Sequence, residues 1–224
     1  MAARPPQAER LSLESPSGVL EAIVETPVVD GVAPMPVTAY GVVCHPHPLH
    51  GGTMDNKVVW TLARAFQQCG AAAIRFNFRG VGASSGRYDE GSGETLDALA
   101  AAAYGRGRWP GAALWLAGFS FGAVVALRAA AAAQPARCIA VAPGITRVAA
   151  GDVGAPACPW LIVQGEADEV VPAAAVIEWA QSLAPAPELA LLPGAGHFFH
   201  GRINELRDLV VDFLRRSGAA RAAR

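Results

Sequence analysis

Long apolar runs, clusters of one charge and abundant cysteine are all absent from this sequence of 224 residues. Lysine and arginine together number 18 and aspartate and glutamate 19, so the formal net charge is −1. This balance gives no reason to expect a polyanionic partner, and no segment interleaves basic with aromatic residues as nucleic-acid-binding segments do. The apolar stretches are short and interrupted, so no membrane span is predicted. We expect neither nucleic acid nor a membrane as a partner, and the sequence does not indicate an oligomeric state.

The few cysteines show no C-x-x-C spacing. Cys44 and Cys138 fall in predicted buried strands, where a free thiol behaves as a small hydrophobic group. Residues 1–7 also lack the apolar core of a signal peptide. We therefore expect reduced thiols and a cytoplasmic location.

Segments of strand length alternate with helical patterns along the chain. Hydrophobic residues make up 52% of the sequence and charged residues 17%, as expected for one domain with a sizeable core. The alternation predicts a mostly parallel sheet covered on both faces, a three-layer α/β/α sandwich. We predict a single domain over residues 1–224, without a cap domain and with flexible termini at 1–15 and 217–224. The predicted strands are residues 20–24, 38–44, 71–76, 114–117, 137–142, 159–165 and 188–193.

Two local signals accompany the early elements. A turn region around Asp30 and Gly31 is expected to join the first two strands. Asp55 or Thr53 is expected to cap the helix that follows the second strand.

A serine stands at the apex of a predicted strand–turn–helix segment. The apolar run 114–117 leads into Gly118-Phe119-Ser120-Phe121-Gly122, and a helix of small residues follows at once. Such a turn pushes the serine hydroxyl out of the sheet, and the glycines leave room where the backbone is crowded. The arrangement suits a nucleophile.

An acid and a base follow two later strands. Asp168 comes after the strand 159–165, and His197 comes directly after the strand 188–193 and a Gly-Ala-Gly turn. The chain order serine, aspartate, histidine, each on a loop after a strand, is the order expected of an α/β-hydrolase. We predict Ser120, Asp168 and His197 as the catalytic residues. Glu166 and Glu169 are rivals for the acid, and His200 is the rival for the base.

Segments from both halves of the chain resemble the α/β-hydrolase superfamily, and most closely its small bacterial members without a lid domain. They are CHPHPLHGGTMDNKVV (44–59), RFNFRGVGASSG (75–86), LAGFSFG (116–122), and QGEADEVVP with GAGHFFH (164–172 and 194–200). The resemblance covers most of the fold and implies a hydrolytic reaction more than it implies a substrate. Only about fifteen residues separate Pro143 from Pro159, where many relatives insert a lid, so the site should be open.

Two backbone N–H groups are expected to stabilise the developing oxyanion. Phe121 directly follows the nucleophile and supplies the first. The second should come from the loop after the strand that ends at Cys44. The prolines of that loop have no N–H, which leaves His47 as first choice and Leu49 as second.

A histidine cluster raises the alternative of a metal site. His45, His47 and His50 lie close in sequence beside Cys44, but no second ligand cluster occurs elsewhere. The glycine-rich segment 79–86 lacks the lysine of a phosphate-binding loop. We therefore expect neither a metal nor another cofactor.

The residues together predict a carboxylesterase-like serine hydrolase that cleaves an ester or thioester of a small acyl group through an acyl-enzyme. Peptidase or thioesterase activity is an alternative within the same chemistry. Two other classes stay open: a non-catalytic binding protein with a hydrolase fold, and a metal-dependent hydrolase that uses the histidine cluster.

Overall fold

The computed structural model describes residues 7–27, 36–148 and 151–222 and shows an eight-stranded sheet. The strand order is β1-β2-β4-β3-β5-β6-β7-β8; β1 and β2 pair antiparallel, β2 pairs antiparallel with β4, and the strands from β4 to β8 pair in parallel. The strands are β1 Gln7–Ser15, β2 Gly18–Thr26, β3 Ala39–Cys44, β4 Ala72–Phe76, β5 Ala113–Phe119, β6 Arg137–Val141, β7 Trp160–Gly165 and β8 Glu188–Leu192.

Helices cover both faces of the sheet. One apolar cluster joins α1 and α5 to the sheet, and a second lies on the other face with α2, α3 and α4. The protein therefore has the α/β-hydrolase fold, and the predicted three-layer sandwich is confirmed. The helices are α1 Lys57–Gln68, α2 Ser92–Arg108, α3 Phe121–Ala133, α4 Ala173–Gln181 and α5 Ile203–Ala222.

The central strands are buried on both faces, which is why they read as continuous apolar runs in the sequence. Every residue of β3, β6 and β7 is buried. Parallel strands that lie between two helical layers need apolar side chains on both sides. Their carboxyl ends meet at one edge of the sheet, and the loops that leave this edge carry the predicted site residues.

The N-terminal prediction was wrong for residues 7–15, because they form β1 rather than a flexible segment. This strand pairs with β2 along its whole length through a tight turn from Ser15 to Gly18. Leu13, which is buried, fixes one face of the hairpin. At the other end, α5 continues to Ala222, beyond Ser217, where a flexible tail was expected.

The local signals had mixed outcomes. The turn around Asp30 and Gly31 lies outside the described residues. The cap of α1 is Asn56, whose side chain accepts a hydrogen bond from the Val58 N–H, rather than Asp55 or Thr53. Within the described ranges, no helix is both long and apolar enough to cross a membrane.

Candidate active site

Ser120 occupies a strained turn between β5 and α3. Its backbone has φ 56° and ψ −118°, a conformation that residues other than glycine rarely adopt. The end of β6 and the loop after it hold Ser120 there: the Ser120 N–H donates to the Val141 carbonyl at 2.9 Å, and the Ser120 carbonyl accepts from the Gly144 N–H at 3.2 Å. Such strain, when the surroundings enforce it, is typical of functional turns.

The two glycines that flank Ser120 are required by space. A Cβ on Gly118 would lie 2.0 Å from the Gly122 carbonyl oxygen. A Cβ on Gly122 would lie 2.3 Å from the carbonyl oxygens of both Cys44 and His45. The start of α3 therefore packs directly against the end of β3, and this contact brings the loop after β3 beside Ser120.

Ser120, His197 and Asp168 form a continuous chain of hydrogen bonds. Nε2 of His197 lies 3.0 Å from Oγ of Ser120, and Nδ1 lies 2.9 Å from Oδ2 of Asp168. Because an ionised carboxylate only accepts, Nδ1 carries the proton, and Nε2 is left to accept from the serine hydroxyl. His197 and Asp168 are both buried.

Asp168 is held as an anion by several donors. Its Oδ1 accepts from the N–H groups of Val170 and Val171 at 2.8 and 2.7 Å. Its Oδ2 accepts from Nε2 of Gln164 at 2.9 Å as well as from His197. Burial raises the pKa of Asp168, but the hydrogen bonds from His197 and the two backbone groups outweigh burial and lower that pKa below its usual value.

The rival acids and base lie outside this chain. Glu166 and Glu169 are exposed, and Oε2 of Glu169 accepts from the backbone N–H of His197 at 3.1 Å, so this carboxylate supports the loop. Nδ1 of His200 lies 2.7 Å from Nζ of Lys57 on the surface. Of the candidates, only His197 contacts Ser120.

The loop after β3 is anchored by a neutral histidine. The His45 side chain is fully buried; its Nε2 accepts from the Phe78 N–H at 3.0 Å, and its Nδ1 donates to the Pro46 carbonyl at 2.6 Å. Burial lowers the pKa of His45 to about 4, despite the hydrogen bond to Pro46. Both ring nitrogens of His45 are thus engaged in hydrogen bonds to the backbone. In the described part of the chain, no three His, Cys, Asp or Glu side chains form a group that could hold a metal ion.

The same loop presents His47 to Ser120 and ties back Leu49. Nδ1 of His47 accepts from the Leu49 N–H at 3.2 Å, so that donor is already engaged. Within the described residues, the N–H groups of His47 and Phe121 have no hydrogen-bond partner. Both residues line the same cavity as Ser120.

This cavity has a volume of about 700 Å³. An aromatic wall of His47, Tyr88 and Phe121 rings, with centroids 5.0–5.9 Å apart, stands on one side. Val170 and Phe198, from the loops after β7 and β8, also line the cavity and are partly exposed. Charged groups also line it: Glu90, Arg128, Arg147 and Asp152.

Sequence reasoning missed two residues that support the chain of hydrogen bonds. Gln164 is wholly buried at the end of β7 and donates to Asp168, and Glu169 holds the His197 backbone. Gln164 did leave a signal, because a glutamine inside an otherwise apolar strand must find polar partners. Glu169 left none, since acidic residues on loops are usually solvated.

Comparison with known proteins agrees with this architecture. Residues 47–156 match the family model described as serine aminopeptidase, S33. A crystal structure of an α/β serine hydrolase without a lid, from Xanthomonas campestris, is 43% identical; the alignment covers 96% of this chain and 97% of that one, with a TM-score of 0.88. An α/β serine hydrolase homologue from Coxiella burnetii is 44% identical over 91% of this chain and 96% of that one, with a TM-score of 0.84.

A further relative, an uncharacterized protein of Rickettsia prowazekii, is 33% identical over 192 residues, 81% of each chain. The fold alone places the chain in a large structural class of hydrolases. The sequence identity to the two bacterial structures makes the assignment more specific. The chain belongs to the α/β-hydrolase superfamily, among its serine hydrolases.

Proposed function

We propose that this protein is a carboxylesterase-like enzyme that cleaves small acyl esters or thioesters, with Ser120 as nucleophile, His197 as general base and Asp168 as the acid that orients it. The observation that carries the proposal is the unbroken path of hydrogen bonds from Ser120 Oγ through the His197 ring to Asp168 Oδ2. Its distances fall within hydrogen-bond reach, and the serine faces a cavity.

In the first half of the reaction, Ser120 Oγ bonds to the acyl carbon while its proton moves to Nε2 of His197. Asp168 stabilises the imidazolium through Nδ1–H. When the tetrahedral intermediate collapses, the bond to the alcohol or thiol breaks, and His197 returns the proton to that leaving group. In the second half, water attacks the acyl-enzyme in the same way, which releases the carboxylic acid and restores Ser120.

The N–H groups of His47 and Phe121 are proposed as the oxyanion donors. Both line the cavity beside Ser120 and are not engaged within the described residues, whereas the Leu49 N–H is held by the His47 ring. Loss of one such donor costs about 3–4 kcal/mol of transition-state stabilisation.

The four free cysteines, two of them buried, support a reducing compartment and hence the cytoplasm as the site of action.

Amide cleavage is the second candidate, because the matched family model is named for a serine aminopeptidase. An aminopeptidase must bind a substrate ammonium group, and the Glu90 carboxylate lines the cavity. Esters remain the first choice because Glu90 is exposed, and a solvated carboxylate binds an ammonium group weakly.

The decisive experiment combines labelling with a paired substrate screen. A fluorophosphonate should label the wild type rapidly and should not label Ser120→Ala, which should keep the wild-type melting temperature and lose about 10⁴-fold or more in turnover. The 4-nitrophenyl esters from acetate to hexanoate should be hydrolysed far faster than aminoacyl 4-nitroanilides, in excess chelator as well as without it. A folded wild type that is neither labelled nor active would favour the binding-protein alternative, and metal-reversible loss in chelator would favour the metal-dependent one.

A further inference from the structure

One wall of the cavity is a single stripe of α3 that starts beside the nucleophile. Phe121, Val124 and Arg128 all line the cavity and follow the i, i+3, i+7 spacing of one helix face. A rise of 1.5 Å per residue places the Arg128 backbone about 12 Å along the helix from Ser120. The Cα–Cβ bonds of a helix tilt toward its N-terminus, so the Arg128 side chain leaves the helix in the direction of the nucleophile.

Arg128 is largely buried and poorly partnered. Only 21% of its side chain is exposed, and its nearest carboxylate oxygen, on Asp152, is 3.5 Å from Nη2. Within residues 7–27, 36–148 and 151–222, its guanidinium, which carries five N–H donors, makes no hydrogen bond. A charge removed from water normally has close partners, because desolvation without them is costly.

The other charged groups of the cavity are more exposed to water than Arg128. Glu90 and Arg147 are exposed, so water satisfies them. The Asp152 side chain is 52% exposed and meets Arg128 at the edge of the cavity. Arg128 is therefore the charged group in the described cavity wall for which a bound ligand would replace missing hydrogen bonds, and its sign selects an anion.

We propose that Arg128 binds a carboxylate of the substrate, so that the preferred substrate is an ester with a second, anionic group within about 12 Å of the reacting carbonyl. The proposal rests on the ester hydrolysis proposed above for the same cavity. The aromatic and apolar wall between Ser120 and Arg128 fits the carbon chain that joins the two groups. A planar guanidinium can hold a carboxylate through two parallel hydrogen bonds, which a neutral acyl end cannot accept equally well.

The kinetic test uses two esters with the same six-carbon acyl chain, the 4-nitrophenyl monoester of adipate and 4-nitrophenyl hexanoate. A second pair, the butyrate esters of 3-carboxyphenol and phenol, places the anion on the leaving group. In one of the pairs the wild type should favour the anionic ester, and Arg128→Gln should reduce kcat/KM for that ester about tenfold to hundredfold more than for its neutral partner. Asp152→Asn removes the competing carboxylate and should increase the preference. Arg207→Gln, on the distant surface of α5, should leave both substrates unchanged.

A binding test keeps the proposal separate from catalysis. Hexanoate should bind the wild type more tightly than hexanamide in calorimetry, and Arg128→Gln should abolish the difference while its melting temperature shows that it is folded. If the wild type hydrolyses no ester but still distinguishes the two ligands through Arg128, the anion site stands and the esterase proposal fails. Equal hydrolysis of charged and neutral esters, with equal binding of hexanoate and hexanamide, would overturn the anion site.

Discussion

At the scale of single residues, His197 and Asp168 differ from nearby residues of the same chemical type in their hydrogen-bond partners. His197 contacts Ser120 and Asp168 directly, and these nearby residues do not. His200 is three positions from His197 but lies beside Lys57, and Glu169 is adjacent to Asp168 but accepts a hydrogen bond from the His197 backbone rather than from its ring. These contacts predict how strongly each substitution should affect catalysis.

We expect His197→Ala to abolish measurable esterase activity, because among the described residues only His197 places a base within hydrogen-bond reach of the Ser120 hydroxyl. Asp168→Asn should be nearly as severe, about 10⁴-fold in kcat, since an amide no longer holds the proton on Nδ1. His200→Ala and Glu166→Gln should retain most activity, and Glu169→Gln should be mild because its amide oxygen can still accept from His197. The measurement is kcat/KM for one soluble ester in all five variants. A reversed ranking of His197 and His200, or of Asp168 and Glu169, would contradict the assignment.

His45 makes a second prediction at this scale, because it is buried and neutral. Its pKa of about 4 in the folded state lies below the usual value of about 6.5 in the unfolded chain. Between these values the unfolded state binds more protons, so the stabilising contribution is complete above pH 6.5 and is lost as pH falls. From pH 7.5 to 5 this one group should cost about 2 kcal/mol of unfolding free energy.

Urea unfolding at both pH values checks this. The matched variant is His45→Gln, which keeps an amide donor and acceptor but does not titrate. Its loss of stability over the same pH range should be smaller than that of the wild type by about 2 kcal/mol. Equal losses in the two proteins would show that His45 does not remain neutral in the folded state.

The three predicted catalytic residues could be found from the sequence, but the residues that hold them in place could not. Each of Ser120, Asp168 and His197 follows a strand of the parallel part of the sheet, and parallel topology brings the ends of such strands together. Leu49 was the second choice for an oxyanion donor. The spacing of residues in the sequence could not show that its N–H donates to the His47 ring instead. Contacts such as those of Gln164 and Arg128 depend on distances across the fold, which spacing along the chain does not encode.

At the scale of elements, the approach of α3 to β3 is the contact on which the site depends. Gly122→Ala should cost at least about 2 kcal/mol and reduce activity, because its Cβ would meet two carbonyl oxygens at 2.3 Å and backbone cannot move aside cheaply. Gly107→Ala in α2 is the matched control, since nothing lies within 4 Å of its Cβ. It should gain up to about 1 kcal/mol and leave activity unchanged. Thermal and urea unfolding of both variants measure the difference, and equal effects would contradict the packing argument.

Elements with strong patterns were predictable, and elements at the margins were not. The buried parallel strands read as apolar runs, and the apolar stripe of α1 is clear at Val58, Leu62 and Phe66. β1 was missed because it is an edge strand with mostly exposed residues, of which only Leu13 is buried. Asn56 was not predicted as the cap of α1 because Asp55, directly before it, is an equally good capping residue and Thr53 is also a common one.

At the scale of the whole molecule, the short connection between β6 and β7 determines access to the cavity. β6 ends at Val141 and β7 begins at Trp160, and between them the described residues form one short 3-10 helix, Ile145–Arg147. Part of this connection lines the cavity wall. An enzyme that must open a lid gains activity at a lipid surface, and the described residues of this connection form no element of lid size.

We therefore expect no interfacial activation. The rate on a short soluble ester such as 4-nitrophenyl butyrate should rise hyperbolically with concentration, without a jump when the substrate passes its solubility limit. Emulsified long-chain triglycerides should be poor substrates, because a cavity of about 700 Å³ with charged groups in its wall cannot bury three long acyl chains. A matched pair of assays, one substrate below and above saturation and one emulsion with and without detergent, distinguishes the cases. Preference for the emulsion, or a jump in rate at saturation, would mean that another segment closes over the site and would contradict the open cavity from which the substrate proposals are drawn.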